Sequence, residues 1–261
     1  MIKGKCCICG TVKNCGPYLI NVLKNIDIIS KIFDDYRIII AYDNSTDNSL
    51  QILNNYKSSN NKFILHVETE PPSPYRTHNI ARARNTCLKI IRENFNDYEY
   101  FIMIDCDDVC SNFIKLDYLL YYLTINTEWD ALSFNKIPYY DTWALSKYPY
   151  VFSNMHFKNP KIYQTFIEKL IKETPPKTLI PCLSAFNGFA IYRTEKFINH
   201  YYDPKPRLDL IPKHLIEKNV QLCGPMFLKG KAALVDCEHR SFHLMAINNG
   251  ARIRIAPEVI F

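Results

Sequence analysis

The 261-residue sequence lacks any apolar run approaching the roughly 20 residues that a membrane-crossing helix needs; stretches such as the IIIAY after Arg37 are far shorter. Its start, MIKGKCCICG, lacks the apolar core of a secretory leader. A soluble protein of the cytoplasm is therefore the expectation. Low-complexity tracts, internal repeats and linker-like breaks are also missing. With 48% hydrophobic and 22% charged residues, the composition fits one ordinary globular domain over 1–261. The net charge of +6 is spread along the chain, which suits an anionic small molecule such as a nucleotide better than nucleic acid. Ten cysteines are present, but Cys87, Cys106, Cys110, Cys182, Cys223 and Cys237 lack the paired spacing of a structural zinc site. Cys6, Cys7 and Cys9 share one predicted strand, whose alternate residues face opposite ways. Packed, reduced thiols are expected.

What is present is organised around YFIMIDCDDV, residues 100–109. A short apolar run rich in Ile and Phe reads as a strand buried on both faces. Carboxylates are too costly to bury unpaired, so Asp105, Asp107 and Asp108 belong just past its end, in the crevice where open α/β sheets bind ligands. Further strands are expected at 5–11, 36–42 and 63–67, separated by helices from Pro17, over 49–56 and from His78. This alternation predicts a parallel, doubly wound sheet for the first ~110 residues. Beyond it the pattern predicts helices at 116–123 and 163–171 and a strand at 131–135. A turn into a strand follows over 186–193, then a helix capped by Thr194, a helix ended by Gly250 and a last strand at 251–256. Residues 138–159 are aromatic and irregular, as a substrate loop or lid would be.

The polar residues between these elements suggest chemistry. Asp105 and Asp107 can share Mg²⁺ or Mn²⁺ with the phosphates of a substrate, or simply cap the next helix; Asp108 suits the cap or a supporting place. Asp43 and Asp47 follow the second strand and can accept from a ribose hydroxyl or a base N–H, although their Asn-Ser-Thr surroundings suit a capping turn equally. Arg82, Arg84 and Asn85 can meet a diphosphate or form a solvated helix face. Glu238 can take a proton from a hydroxyl, and His239 or His243, four apart on one helix face, can do so or bind a metal. The H-E-x-x-H pattern of a zinc hydrolase is missing.

In their order, these motifs resemble those of nucleotide-sugar-dependent glycosyltransferases of the GT-A fold, family-2-like or capsule mannosyltransferase-like. The resemblance rests on YDNSTDNS, IARARN, FIMIDCDD, the FNGFAIYR from Phe186 and the segment CEHRSFHLMAINNGARIRIAP, and covers most of the chain. It implies a single α/β domain with a mostly parallel Rossmann-like sheet, a nucleotide-sugar-binding half at 1–110 and an acceptor-binding half at 111–261. It further implies transfer of a sugar from a UDP- or GDP-sugar to a hydroxyl of a glycan, protein or small molecule. Mn²⁺ or Mg²⁺ would sit at the D-x-D of Asp105 and Asp107, with Cys106 between them beside the donor. Asp43, Asp47, Arg82, Arg84 and Asn85 would complete the donor site. Where many members carry Glu-Asp, this chain has Glu238-His239, making Glu238 the expected base and His239 its substitute; His243 would replace a metal-binding histidine that some members carry further on. A sugar nucleotidyltransferase is the alternative within enzymes, but it needs a glycine-rich loop after the first strand, and TVKNCGPY has one glycine. A carbohydrate- or nucleotide-binding module without catalysis is the alternative outside them.

Overall fold

A computed structural model describes residues 2–159 and 161–261. The first half alternates as the sequence predicts: β1 (Ile2–Val12), α1 (Gly16–Ser30), β2 (Phe33–Tyr42), α2 (Ser49–Ser59), β3 (Phe63–Val67), α3 (Arg76–Asn94) and β4 (Tyr100–Asp105). The second half adds α4 (Leu116–Thr124), β5 (Ala131–Asn135), α5 (Lys161–Glu173), β6 (Ile180–Cys182), β7 (Phe189–Arg193), the single turn α6 (Thr194–Phe197), α7 (Lys213–Cys223), α8 (Glu238–Asn248) and β8 (Ile253–Val259). All eight strands form one sheet in the order β3-β2-β1-β4-β7-β5-β8-β6. The first four are mutually parallel, as the βα alternation requires. β7 opposes both β4 and β5, and β6 opposes β8.

Alternation along the strands divides the core in two. Cys6, Ile8, Ile38, Ile40, Ile102 and Ile104 pack on one face, with α1 and α4. Cys7, Cys9, Ile39, Ala41, Phe101 and Met103 pack on the other, with α3 and α8. Cys6 and Cys7 therefore point apart, and all ten cysteines are free. A third, smaller cluster, including Phe152, Tyr163 and Leu244, packs the long connections of the second half against α5, α7 and α8. Among the described residues no helix is long and apolar enough to cross a membrane.

Two local expectations are corrected. Thr194 does not cap α6: it is the first residue of the turn, its hydroxyl has no partner, and Arg193 occupies the cap position. The cap after β4 is Asp107, which accepts the Val109 N–H at 3.1 Å, whereas Asp108 is exposed. Gly250 ends α8 as expected, with φ of +83° and its N–H on Ile247.

Candidate active site

The sheet order reverses at β1, which has β2 on one side and β4 on the other. Ligands of open α/β sheets bind at the carboxyl ends of strands at such a switch point. A cavity of about 480 Å³ lies there, lined by Thr11, Asp43 and Asp105 from the strand ends, by α3 and by the start of α8.

α3 explains which arginine enters the site. Its buried stripe runs Thr77, Ala81, Arg84, Leu88 and Ile91, so Arg84 points inward while Arg82 lies off the stripe. Arg84 is buried and bridges two elements, donating to Asp105 Oδ1 at 2.9 Å and, through Nη1, to Glu238 Oε1 and His239 Nε2. Its guanidinium also stacks over Phe186 at 4.6 Å. Arg82 instead pairs with Glu68 at 3.0 Å and Glu70 at 3.4 Å and is not part of the cavity lining. The expected diphosphate contact therefore fails for Arg82, and Arg84 is already engaged by carboxylates.

Other expected residues are redirected too. Asp47 accepts the Gly16 N–H at 2.8 Å and the Ser49 N–H at 3.0 Å, so of its two roles it takes the cap, outside the lining. Asn85 exchanges hydrogen bonds with the Tyr202 backbone at 2.8 and 2.9 Å and holds that loop rather than a ligand. His243 is fully buried, its Nδ1 against the Ser184 hydroxyl at 2.9 Å and its Nε2 against the Tyr192 hydroxyl at 3.1 Å. With both nitrogens taken by the core, it is not a metal ligand of the cavity. Asp43 does line the cavity, with Lys13 Nζ donating to it at 2.7 Å, and Cys106 lines it as well.

Burial governs the charged groups. It raises the Asp105 carboxyl to about 7, against the pull of Arg84 and with help from Asp107, Asp141 and Glu238. Burial also raises Asp107 and Glu238, the latter opposed chiefly by Arg84. His239 is driven the other way, well below its ordinary value, by burial and then by Arg84. It is thus a neutral ring stacked on Phe186 at 3.8 Å, and its Nε2 lone pair faces Arg84. That leaves Glu238 as the better proton acceptor of the two.

Five carboxylates, those of Asp43, Asp105, Asp107, Asp141 and Glu238, line the cavity against three cations, Lys13, Arg76 and Arg84. An anionic ligand enters such a site readily only with a cation of its own. Asp105 and Asp107 fit that need, since each keeps one oxygen that accepts no protein hydrogen bond. Among the described residues no group of three or more His, Cys, Asp or Glu side chains could hold a metal. Such a pair therefore matches a hard cation whose remaining ligands are phosphate oxygens and water.

Sequence reasoning missed Lys13, Arg76, Tyr140, Asp141 and Trp143 in the lining. The one available signal was the acid set among aromatics in YYDTW, within the segment expected to be a substrate loop.

Comparison with known proteins places the chain in a family and a fold. Residues 7–198 match Glycosyl transferase family 2. The chain belongs to that family. Among solved structures, S. aureus TarS superposes with a TM-score of 0.51 at 17% identity, over 98% of this chain and 36% of TarS. Its 1–349 fragment gives 0.50 at 17% identity, over 98% of this chain and 59% of the fragment. A looser match, TM-score 0.42 at 14% identity, over 98% of this chain and 57% of the other, is to the mannosyltransferase PcManGT from Pyrobaculum calidifontis in complex with GDP-Man and Mn2+. The TarS superpositions show that the chain has the GT-A fold, and it spans less than two thirds of each of these structures. No curated protein matches it.

Proposed function

We propose that the chain transfers a sugar from a nucleoside diphosphate sugar to an acceptor hydroxyl, with Mn²⁺ or Mg²⁺ held at Asp105 and Asp107. The observation that carries this is the coupling, through one buried Arg84, of Asp105 at the end of β4 to Glu238 at the start of α8. Asp43, at the end of β2, takes the nucleoside. Lys13 and Arg76 lie on the lining with charge of the right sign for the diphosphate. A bound divalent cation would neutralise the charge that develops on the leaving diphosphate.

The remaining work falls to the chain's own groups. Glu238 accepts the acceptor's proton as its oxygen bonds to the anomeric carbon, while the bond from that carbon to the diphosphate oxygen breaks. Burial, which raises the Glu238 carboxyl, makes it a stronger base than an exposed glutamate, and Arg84 holds it in place. A single displacement of this kind inverts the anomeric centre. In this scheme 1–110 serves mainly the donor and 111–261 the acceptor, the UDP- or GDP-sugar and the hydroxyl compound being the partners.

A nucleotidyltransferase fits less well, because the loop after β1 has spent the N–H groups a triphosphate would need. Asn14 N–H is on Ser45 at 3.0 Å, Cys15 N–H on Ser49 at 3.0 Å and Gly16 N–H on Asp47. To test the proposal, Asp107→Ala is compared with the unmodified chain for Mn²⁺-dependent release of nucleoside diphosphate from UDP- and GDP-sugars. Turnover should vanish while the unfolding transition persists; full turnover in the variant would refute the metal site.

A further inference from the structure

One wall of the cavity has no part in the scheme above. Tyr140, Asp141 and Trp143 enter it from the segment after β5. That segment is irregular in sequence, yet it is clamped from behind by three buried side chains, two on its backbone and one on the Thr142 hydroxyl. Asn187, in the left-handed region at φ of +58°, accepts the N–H groups of Tyr140 and Asp141 at 2.9 and 3.0 Å and donates to Phe134 O at 2.9 Å. Arg240, paired with Asp236 at 3.1 Å, donates to the carbonyls of Trp143 and Leu145. Asn154 donates to the Thr142 hydroxyl at 2.8 Å. Fixing a loop at so many points aims its side chains.

Two polar groups on this wall are left over. Asp141 Oδ1 accepts the Ala144 N–H at 2.9 Å, while Oδ2 takes no protein hydrogen bond. Trp143 Nε1 is buried without a partner. Asp141 lines the same cavity as Asp105, Asp107 and Glu238. It therefore borders the space that the transferred ring must occupy. A free carboxylate oxygen, an indole N–H and aromatic faces match vicinal hydroxyls and the apolar C–H surface of a pyranose.

The geometry points to the 140–143 segment as the subsite for the transferred sugar of the donor, with Asp141 accepting from its hydroxyls and Trp143 donating to one. This rests on the function proposed above. It makes the segment the element that chooses the sugar, separate from Asp43 and the acid pair, which meet the nucleotide.

The test is binding in Mn²⁺ without acceptor, comparing UDP and GDP with a panel of UDP- and GDP-sugars. The readout is the ratio of sugar-nucleotide to nucleotide affinity, which cancels any general change in cavity charge. Asp141→Asn keeps the oxygen that accepts from Ala144, so the loop's turn survives. It should lower the ratio about tenfold or more, as expected for loss of hydrogen bonds to a charged group. Trp143→Phe, which keeps an aromatic face, should lower the ratio by less. An unchanged ratio in Asp141→Asn would overturn the subsite, as would equal loss of nucleotide and sugar-nucleotide binding. An unmodified chain that binds neither UDP nor GDP would overturn the function itself, and the subsite with it.

Discussion

Arg84 ties the stability of the fold to the candidate site. It is buried with Asp105 on one side and Glu238 and His239 on the other, and its stack on Phe186 fixes the plane of the guanidinium. Removing one partner of a buried ionic group strands the others, at a cost of about 3–5 kcal/mol. Arg84→Ala should therefore lose stability of that order in urea unfolding and lose donor turnover; unchanged stability would mean that Asp105 and Glu238 need no counter-charge. The identity of the inward-facing arginine was legible in principle, because Arg84 falls three residues after Ala81 and four before Leu88 on one helix stripe and Arg82 does not. Asp43, Asp105, Asp107 and Glu238 were legible because each follows a strand or opens a helix. Asp141 and Trp143 were not, since only the long-range clamps from Asn187 and Arg240 bring them to the cavity. The redirected residues, Asp47, Asn85 and His243, share a cause: each found partners in the fold that sequence does not display.

At the scale of elements, β7 holds the acid pair in place. Lying antiparallel to β4, it follows Gly188, whose carbonyl accepts the Asp105 N–H at 2.8 Å just where β4 gives way to the acidic turn. Gly188 has φ of +88°, and a Cβ there would lie 2.3 Å from Val109 Cγ1. Gly188→Ala should thus cost about 1–3 kcal/mol from overpacking, with backbone strain in addition. Because Val109 N–H binds Asp107, the variant should also weaken the proposed Mn²⁺-dependent nucleotide binding. Nucleotide binding equal to that of the unmodified chain, in a measurably destabilised protein, would separate the turn from the site. The βα alternation over β1 to β4 followed from hydrophobic period alone. β6, with three residues, is too short for a period to register, and α7 buries only Asn219. The opposed direction of β7 has no local signature either, since strand direction is decided by pairing partners.

The whole molecule places neutral histidines in its second core, with consequences for pH. His243 packs against Tyr192, Phe197, Phe242 and His239, and burial, helped by the charges of Arg240 and Arg84, lowers it to about 3. In the unfolded chain it takes a proton near 6.5. As pH falls below that value the unfolded state binds the proton first, so the stability due to this neutral ring is whole above about 6.5 and drains away toward 3. The melting temperature should fall between pH 7.5 and pH 5, and His243→Gln should make that fall shallower; an equal slope in the variant would assign the acid sensitivity elsewhere. The same second core seats α8, whose first turn carries Glu238 to the edge of the cavity that β1, β2 and β4 open. Sheet, acid pair and Glu238 thus meet at one cavity, the seat of the proposed sugar transfer. Its most direct test is the release of nucleoside diphosphate from a panel of UDP- and GDP-sugars, in Mn²⁺ and with mixed hydroxyl acceptors, by the unmodified chain and by Glu238→Gln. The account predicts release from at least one donor, and a fall of about 10²–10⁴-fold in the variant with donor binding retained; no release from any donor, or equal release by the variant, would contradict it.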